Sequence, residues 1–186
     1  PIKMTIENSL EKILKNYQDS FTEKNYSEEN NEYDLLMNVF NVTPDLKREN
    51  RQYWGRELGY CWQLLVVEIC KNYCTNFKPA LVDGDDEPCD LVVGTYAIDT
   101  KYRIGSGDSG TLKKFKSYGP KMLEEGYEPI LLILRTDNLP AAIKACQVGK
   151  WKIYTGDDSF NFLKEITNFD LKSFLIEREG AYPVNR

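Results

Sequence analysis

Five consecutive apolar residues, Ile130-Leu131-Leu132-Ile133-Leu134, constrain this chain more than any other feature. A run of this length with no polar side chain is typical of a central strand, buried on both faces. Such a strand needs helices above and below it, and the sequence offers them. Upstream, Leu58, Cys61, Trp62, Leu65, Val66 and Ile69 recur at spacings of three and four, which predicts a helix from about Glu49 to Asn72. Short β-type runs follow at Ala80 to Val82, Leu91 to Val93 and Tyr96 to Arg103, the last two separated by Gly94-Thr95, a pair suited to a tight hairpin turn. A second helix is expected from about Ser109 to Glu124, then the apolar run, a short helix near Ala141 to Cys146 and a strand at Trp151 to Tyr154. Ser159 can cap a helix beginning at Phe160, and Asp170 another beginning at Leu171. The order predicts an α/β fold with a mixed β-sheet core flanked by helices on both faces.

At 186 residues the chain is the size of one domain. Residues 1–48 read as a helical accessory region, 49–155 as the core and 156–186 as a C-terminal helical region. In the first of these, Ile6, Leu10, Ile13, Leu14 and Tyr17 have the spacing of an amphipathic helix. A charged connector, Ser27 to Glu32, leads to a short apolar piece (Leu35, Leu36, Val39, Phe40) that ends before Pro44.

The complete absence of histidine removes every mechanism that needs imidazole, including Ser-His-Asp hydrolysis and His-ligated zinc. Carboxylate and lysine chemistry remain. The five cysteines, at 61, 70, 74, 89 and 146, contain no C-x-x-C pair and read as reduced core thiols of a cytoplasmic protein. No basic-then-apolar leader is seen, and no apolar stretch approaches the roughly 18 to 20 residues of a membrane span, so no membrane partner is expected. A formal net charge of −5 argues against a generally basic nucleic-acid coat protein, but a local basic strip can still bind phosphates.

The stretch from Pro88 to Lys101 is the most informative chemically. Along a strand, Asp99, Lys101 and Arg103 share a face, and a hairpin folded at Gly94-Thr95 can bring Asp90 toward Asp99. Magnesium is commonly held by one or two carboxylates plus water and phosphate oxygens, which Asp90 and Asp99 would suit. Lys101 would orient the attacking water and offset charge growing on phosphorus. Asp-x-Lys occurs three times, at Asp45, Asp99 and Asp170, but only the Asp99 copy lies in a β-type run with an upstream aspartate at hairpin distance. The competing view is that Asp99, Lys101 and Arg103 form the solvated, charge-paired face of an ordinary strand.

Asp90, eight intervening residues and then Asp99-Thr100-Lys101, set in this order of helices and strands, resembles the PD-(D/E)XK nuclease superfamily in its type II restriction endonuclease branch. Cys89 separates Pro88 from Asp90, so the literal Pro-Asp pair is absent. The stretch from Lys101 to Lys114 is similar to ApaLI-type restriction endonucleases. The resemblance covers roughly Glu49 to Tyr154. It implies a restriction-endonuclease-like core, Mg2+ as cofactor, double-stranded DNA as substrate and a homodimer with one site for each strand. It also implies a third carboxylate from the helix before the sheet. Glu57 is favoured because Gly55 and Gly59 flank it, with Glu68 three turns further on the same side and a surface role equally open.

Further candidates surround this core. Small residues from Gly105 to Thr111 would leave backbone N–H groups free at a helix start, placing Ser106, Gly107 and Ser109 against a DNA phosphate. The Gly105 to Gly110 spacing imitates a nucleotide-binding loop, but Thr111 stands where lysine belongs, which excludes an NTPase. Lys113, Lys114, Lys116 and Lys121, interleaved with Phe115 and Tyr118, form the clearest basic strip and, with Arg103, the expected phosphate contacts; taken singly, each lysine equally suits a solvated helix face. The acidic loop Asp83 to Glu87 lacks the glycine and closing glutamate positions of a calcium loop and reads as a solvated turn. Trp62 belongs to the core, while Tyr53 and Trp54 are possible surface contacts. The expected activity is Mg-dependent hydrolysis of duplex DNA at a specific sequence. Its rivals are a junction-resolving or repair nuclease of the same fold, a non-catalytic DNA-binding module, and a structural α/β protein.

Overall fold

The computed structural model describes residues 5–107 and 109–185, except for the side chains of residues 109–111. In chain order it runs α1 (Ile6–Glu23), β1 (Asn25–Tyr26), α2 (Leu35–Phe40), α3 (Pro44–Glu49), α4 (Arg51–Tyr73), β2 (Phe77–Pro79), β3 (Leu91–Val93) and β4 (Tyr96–Lys101). It continues with β5 (Ser106–Gly107), α5 (Ser109–Glu124), β6 (Glu128–Ile133), α6 (Pro140–Val148), β7 (Lys152–Thr155), α7 (Asp157–Thr167) and α8 (Leu171–Ile176).

The five-stranded sheet has the order β2-β3-β4-β6-β7. Strands β2, β3 and β4 are antiparallel neighbours, and β4, β6 and β7 run parallel. The apolar run supplies β6, flanked on both sides by other strands, and its residues 130–133 are at most 1% exposed. Side chains alternate between two cores. Leu91, Val93, Ile98, Ile130 and Leu132 join one cluster with Leu58, Trp62 and Val66 of α4, Phe160 and Leu163 of α7 and Leu171 of α8. Val92, Ala97, Leu131 and Ile133 point the other way, to Phe115 and Met122 of α5 and Ala142 and Cys146 of α6. Helices therefore cover both faces, the mixed α/β arrangement expected.

Helix α4 begins where Asn50 accepts a hydrogen bond from the Tyr53 N–H (3.1 Å), and its buried residues fall mainly at intervals of four, Trp54, Leu58, Trp62 and Val66. Trp54 is thus a core residue rather than a surface contact. The β3–β4 turn places Gly94 at φ 61°, a left-handed conformation that side chains disfavour. On the second face, α5 lies so close to the α6–β7 turn that a Cβ on Gly119 would collide with the Gly149 carbonyl oxygen. Trp151 Nε1 donates to the Phe115 carbonyl there (2.9 Å).

Several local expectations need correction. The first strand is Phe77–Pro79, not Ala80 to Val82, because it pairs with β3 and the chain then leaves the sheet. Strand β4 stops at Lys101, so Arg103 lies beyond it. Ser159 does not cap α7. The helix starts two residues before it, after Gly156, and the buried Ser159 hydroxyl donates to the Ile133 carbonyl (2.8 Å). Asp170 does cap α8, accepting from the Ser173 N–H (2.9 Å). The accessory region is not uniform: Leu36, Met37, Val39 and Val42 enter the larger core, whereas α1 buries nothing.

Candidate active site

Hairpin register decides the chemistry. Leu91 pairs with Ile98 and Val92 with Ala97, and where the ladder ends the Asp90 carboxyl adjoins that of Asp99. The Asp90 N–H donates to the Ile98 carbonyl (2.8 Å). Asp90 Oδ2 accepts from both the N–H and the hydroxyl of Thr100, each at 2.7 Å. The carboxylate thereby replaces the next backbone acceptor of the ladder and is fixed in place. Asp99 shares the face of Ala97, opposite the one packed on α4, and Lys101 Nζ lies 3.0 Å from Asp99 Oδ2. The three predicted groups are brought together.

Their electrostatics are unbalanced. Burial pushes the Asp99 carboxyl up to about 7; the Lys101 ammonium opposes this, and the adjoining Asp90 carboxyl adds to it. Asp99 in turn holds the Lys101 pKa above its ordinary value, against the effect of burial. The thiols of Cys89 and Cys146 are pushed by burial up to about 11 and about 12, so neither is a nucleophile or thiolate ligand near neutrality. All five cysteines are free thiols.

Asp99 and Lys101 line a cleft of about 430 Å3 whose walls include Phe115, Tyr118 and Trp151. Asp85, Asp86 and Glu87 also line it, with Lys114. The acidic turn is therefore part of the site rather than merely solvated. It is closed by backbone bonds between Asp83 and Asp86 (2.8 and 3.0 Å). Side chains also tether it to α5: Lys121 bonds Asp83, and Lys114 lies 3.9 Å from Asp86.

Other expected residues are placed elsewhere. Glu57 is exposed on α4, the helix packed on the opposite face of the sheet from Asp99, and pairs with its neighbour Arg56 (3.3 Å). It does not line the cleft. Glu68 is also exposed and accepts from the Asn72 amide (2.9 Å). Arg103 is not free for DNA: its guanidinium donates to the Asp137 carbonyl (2.7 Å) and to the Ser27 carbonyl (2.9 Å) and hydroxyl (3.1 Å). Gly107 is buried against Leu112 and Leu139, which leaves no room for a phosphate. Ser106 is exposed in β5, paired with Tyr26, and does not line the cleft. The side chain of Ser109 lies outside the described residues. Lys113 and Lys116 are exposed on α5.

A second polar cluster went unread in the sequence. Lys47 and Arg135, each 4% exposed, lie beneath the 27–34 connector. Lys47 Nζ is 2.7 Å from Glu29 and 2.5 Å from the Tyr102 hydroxyl. Arg135 is 2.9 Å from Asp34 and 2.8 Å from Asp137, and the Tyr102 hydroxyl donates to Asp34. Burial lowers the Lys47 pKa, with Glu29 working against it. Burial would raise Asp137, but bonds from Arg135 and the Asn30 N–H hold it below the ordinary carboxylate range. The only sequence signal was an arginine directly after the central strand.

Comparison of the chain with family models, curated proteins and solved structures finds no match. No helix among the described residues is long and apolar enough to cross a membrane.

Proposed function

We propose that this chain is a Mg-dependent endonuclease of the restriction type, hydrolysing phosphodiester bonds of duplex DNA at the Asp90, Asp99 and Lys101 site. The observation that carries the reading is a buried Asp99 carboxylate with an ammonium 3.0 Å away and the Asp90 carboxyl adjoining it.

The donor set fits magnesium rather than a softer ion. Among the described residues no group of three or more His, Cys, Asp or Glu gathers to hold a metal, which disfavours a closed protein cage. Magnesium needs only one or two carboxylates with waters and phosphate oxygens. Two adjoining carboxylates, one pushed up to about 7, also form a site that a divalent cation relieves. Asp90 and Asp99 would hold it, and when bound it would polarise the phosphate and lower the pKa of a water.

In hydrolysis the water oxygen bonds to phosphorus as one ester P–O bond breaks, giving a phosphate monoester and a hydroxyl. Lys101 positions the water and offsets the charge growing on the phosphoryl oxygens. Thr100 fixes Asp90 through two hydrogen bonds. Phe115, Tyr118 and Trp151 give the cleft an aromatic wall. Lys113, Lys114 and Lys116 would follow the DNA backbone, and two chains related by a two-fold axis would present one site to each strand.

The acidic turn favours this reading over a binding module without catalysis. Asp85, Asp86 and Glu87 repel phosphate, a cost that a divalent cation offsets and a metal-free binder would bear in full. The test is digestion of a plasmid of known sequence with and without magnesium, with the ends mapped. Cleavage should require the metal, give ends at fixed sites and vanish in Asp99→Ala. A variant that cuts at the wild-type rate would refute the assignment, and ends scattered by DNA shape would favour a junction or repair nuclease.

A further inference from the structure

Helix α1 buries none of its 18 residues. Even so, Ile6, Leu10, Ile13, Leu14, Tyr17 and Phe21 stand 52–72% exposed along it. At 100° per residue these six side chains fall in one stripe roughly 100° wide. Lys12 and Lys15 lie on the other side, where Lys15 pairs with Asp19 (2.9 Å). A contiguous apolar stripe facing water marks an interaction surface.

Its spacing indicates the partner. The intervals between the six residues are four, three, one, three and four, a sequence that reads the same in both directions. Reversing the helix about the midpoint of Ile13 and Leu14 leaves the stripe unchanged. We propose that α1 packs antiparallel against α1 of a second copy of this chain, about a two-fold axis passing between Ile13 and Leu14. Ile6 then meets Phe21 of the second copy, Leu10 meets Tyr17 and Ile13 meets Leu14, each contact made twice as an isologous interface requires. Glu7 comes opposite Ser20 and Glu11 opposite Asn16, so the pairing sets no like charges together along the seam.

Size and charge support the same occupant. At roughly 100 Å2 of exposed surface each, twelve such side chains bury about 1,200 Å2, the lower end of the range for specific interfaces. The helix carries four acids, Glu7, Glu11, Asp19 and Glu23, against two lysines. That balance is unfavourable on an anionic membrane surface. The inference stands apart from the proposed nuclease activity.

Sedimentation equilibrium of the full chain should give twice the 21.6 kDa chain mass. The double substitution Leu10→Asp and Leu14→Asp, at positions that carry no core contacts, should halve that mass without changing the far-UV circular dichroism. A wild-type mass of one chain overturns the proposal, as does a variant that remains dimeric. Direction is tested by mixing Ile6→Cys chains with Phe21→Cys chains under oxidation. Cross-linking between the two kinds supports the antiparallel pair, and cross-linking of Ile6→Cys to itself overturns it. Flotation of a monomeric wild-type chain with phosphatidylcholine–phosphatidylserine vesicles, lost in the double variant, would assign the stripe to a membrane instead.

Discussion

Among the described residues, ionisable side chains are buried in two places. Around Lys47 and Arg135, each cation has carboxylate partners: Glu29, Asp34 and Asp137 lie within 2.7 to 3.4 Å of one or the other, and Tyr102 bridges them. At the cleft, Asp99 faces Lys101, with Asp90 adjoining from behind the lining, and Asp85, Asp86 and Glu87 stand at the same opening. The first cluster ties the connector and α3 to the ends of β4 and β6 and leaves little for a ligand to supply. At the second, one lysine does not offset the effect of burial and of the adjoining Asp90, and the Asp99 carboxyl stays pushed up to about 7. Buried charge alone does not distinguish a structural tie from a reactive site; imbalance does.

Substitutions should separate the two regions. If the proposed activity holds, Asp99→Asn should lower cleavage by about 10^3-fold, since it removes an oxygen that would hold the metal, while relieving carboxylate repulsion and leaving the melting temperature unchanged or higher. Arg135→Met should do the reverse. It leaves Asp34 and Asp137 buried without their guanidinium and should cost about 3–5 kcal/mol in urea denaturation, with the remaining folded protein still cutting. If Arg135→Met spares stability and abolishes cleavage, the contrast between the regions is wrong. On the same proposal, Lys101→Gln should reduce kcat by about 10^2-fold with little change in KM, because its charge would act mainly as the phosphoryl oxygens become more negative.

A smaller effect concerns pH. The folded protein keeps the Asp99 proton up to about 7, whereas the unfolded chain releases it in the ordinary carboxylate range. Between those limits the folded state binds more protons. This group's contribution to stability is therefore complete at the acid end and is lost as pH rises through about 7. The melting temperature of wild type relative to Asp99→Asn should fall from about pH 5 to about pH 8, and magnesium should reverse the fall at the alkaline end. Smallest of all, Asp83→Asn with Asp86→Asn should strengthen DNA binding several-fold and flatten the pH dependence little, because these groups lie on the exposed turn. A filter-binding titration in calcium would measure it.

Much of this was legible in the sequence where side chains alternate or repeat. The uninterrupted run 130–134 located the central strand, and the turn at Gly94-Thr95 set the hairpin that brings Asp90 close to Asp99. Periodicity on α4 identified its core face but could not say which face of the sheet it would cover, and that choice removed Glu57 from the cleft. Arg103 kept its parity with Asp99 and Lys101 in the sequence, but the strand ended first and Ser27, 76 residues earlier in the chain, captured its guanidinium. Lys47 looked like part of a polar segment because its partners, Glu29, Asp34 and Tyr102, reach it only after folding. Long-range ion pairs leave no local periodicity to read.

The contact of Gly119 with the Gly149 carbonyl has a mechanical consequence for the cleft. Backbone meets backbone there, with Trp151 bolted to the Phe115 carbonyl beside it, so the wall that carries Lys114 and Tyr118 is a fixed jaw. Accommodation of a bound molecule falls to the facing turn, whose grip on α5 consists of side-chain bonds that can be released one at a time.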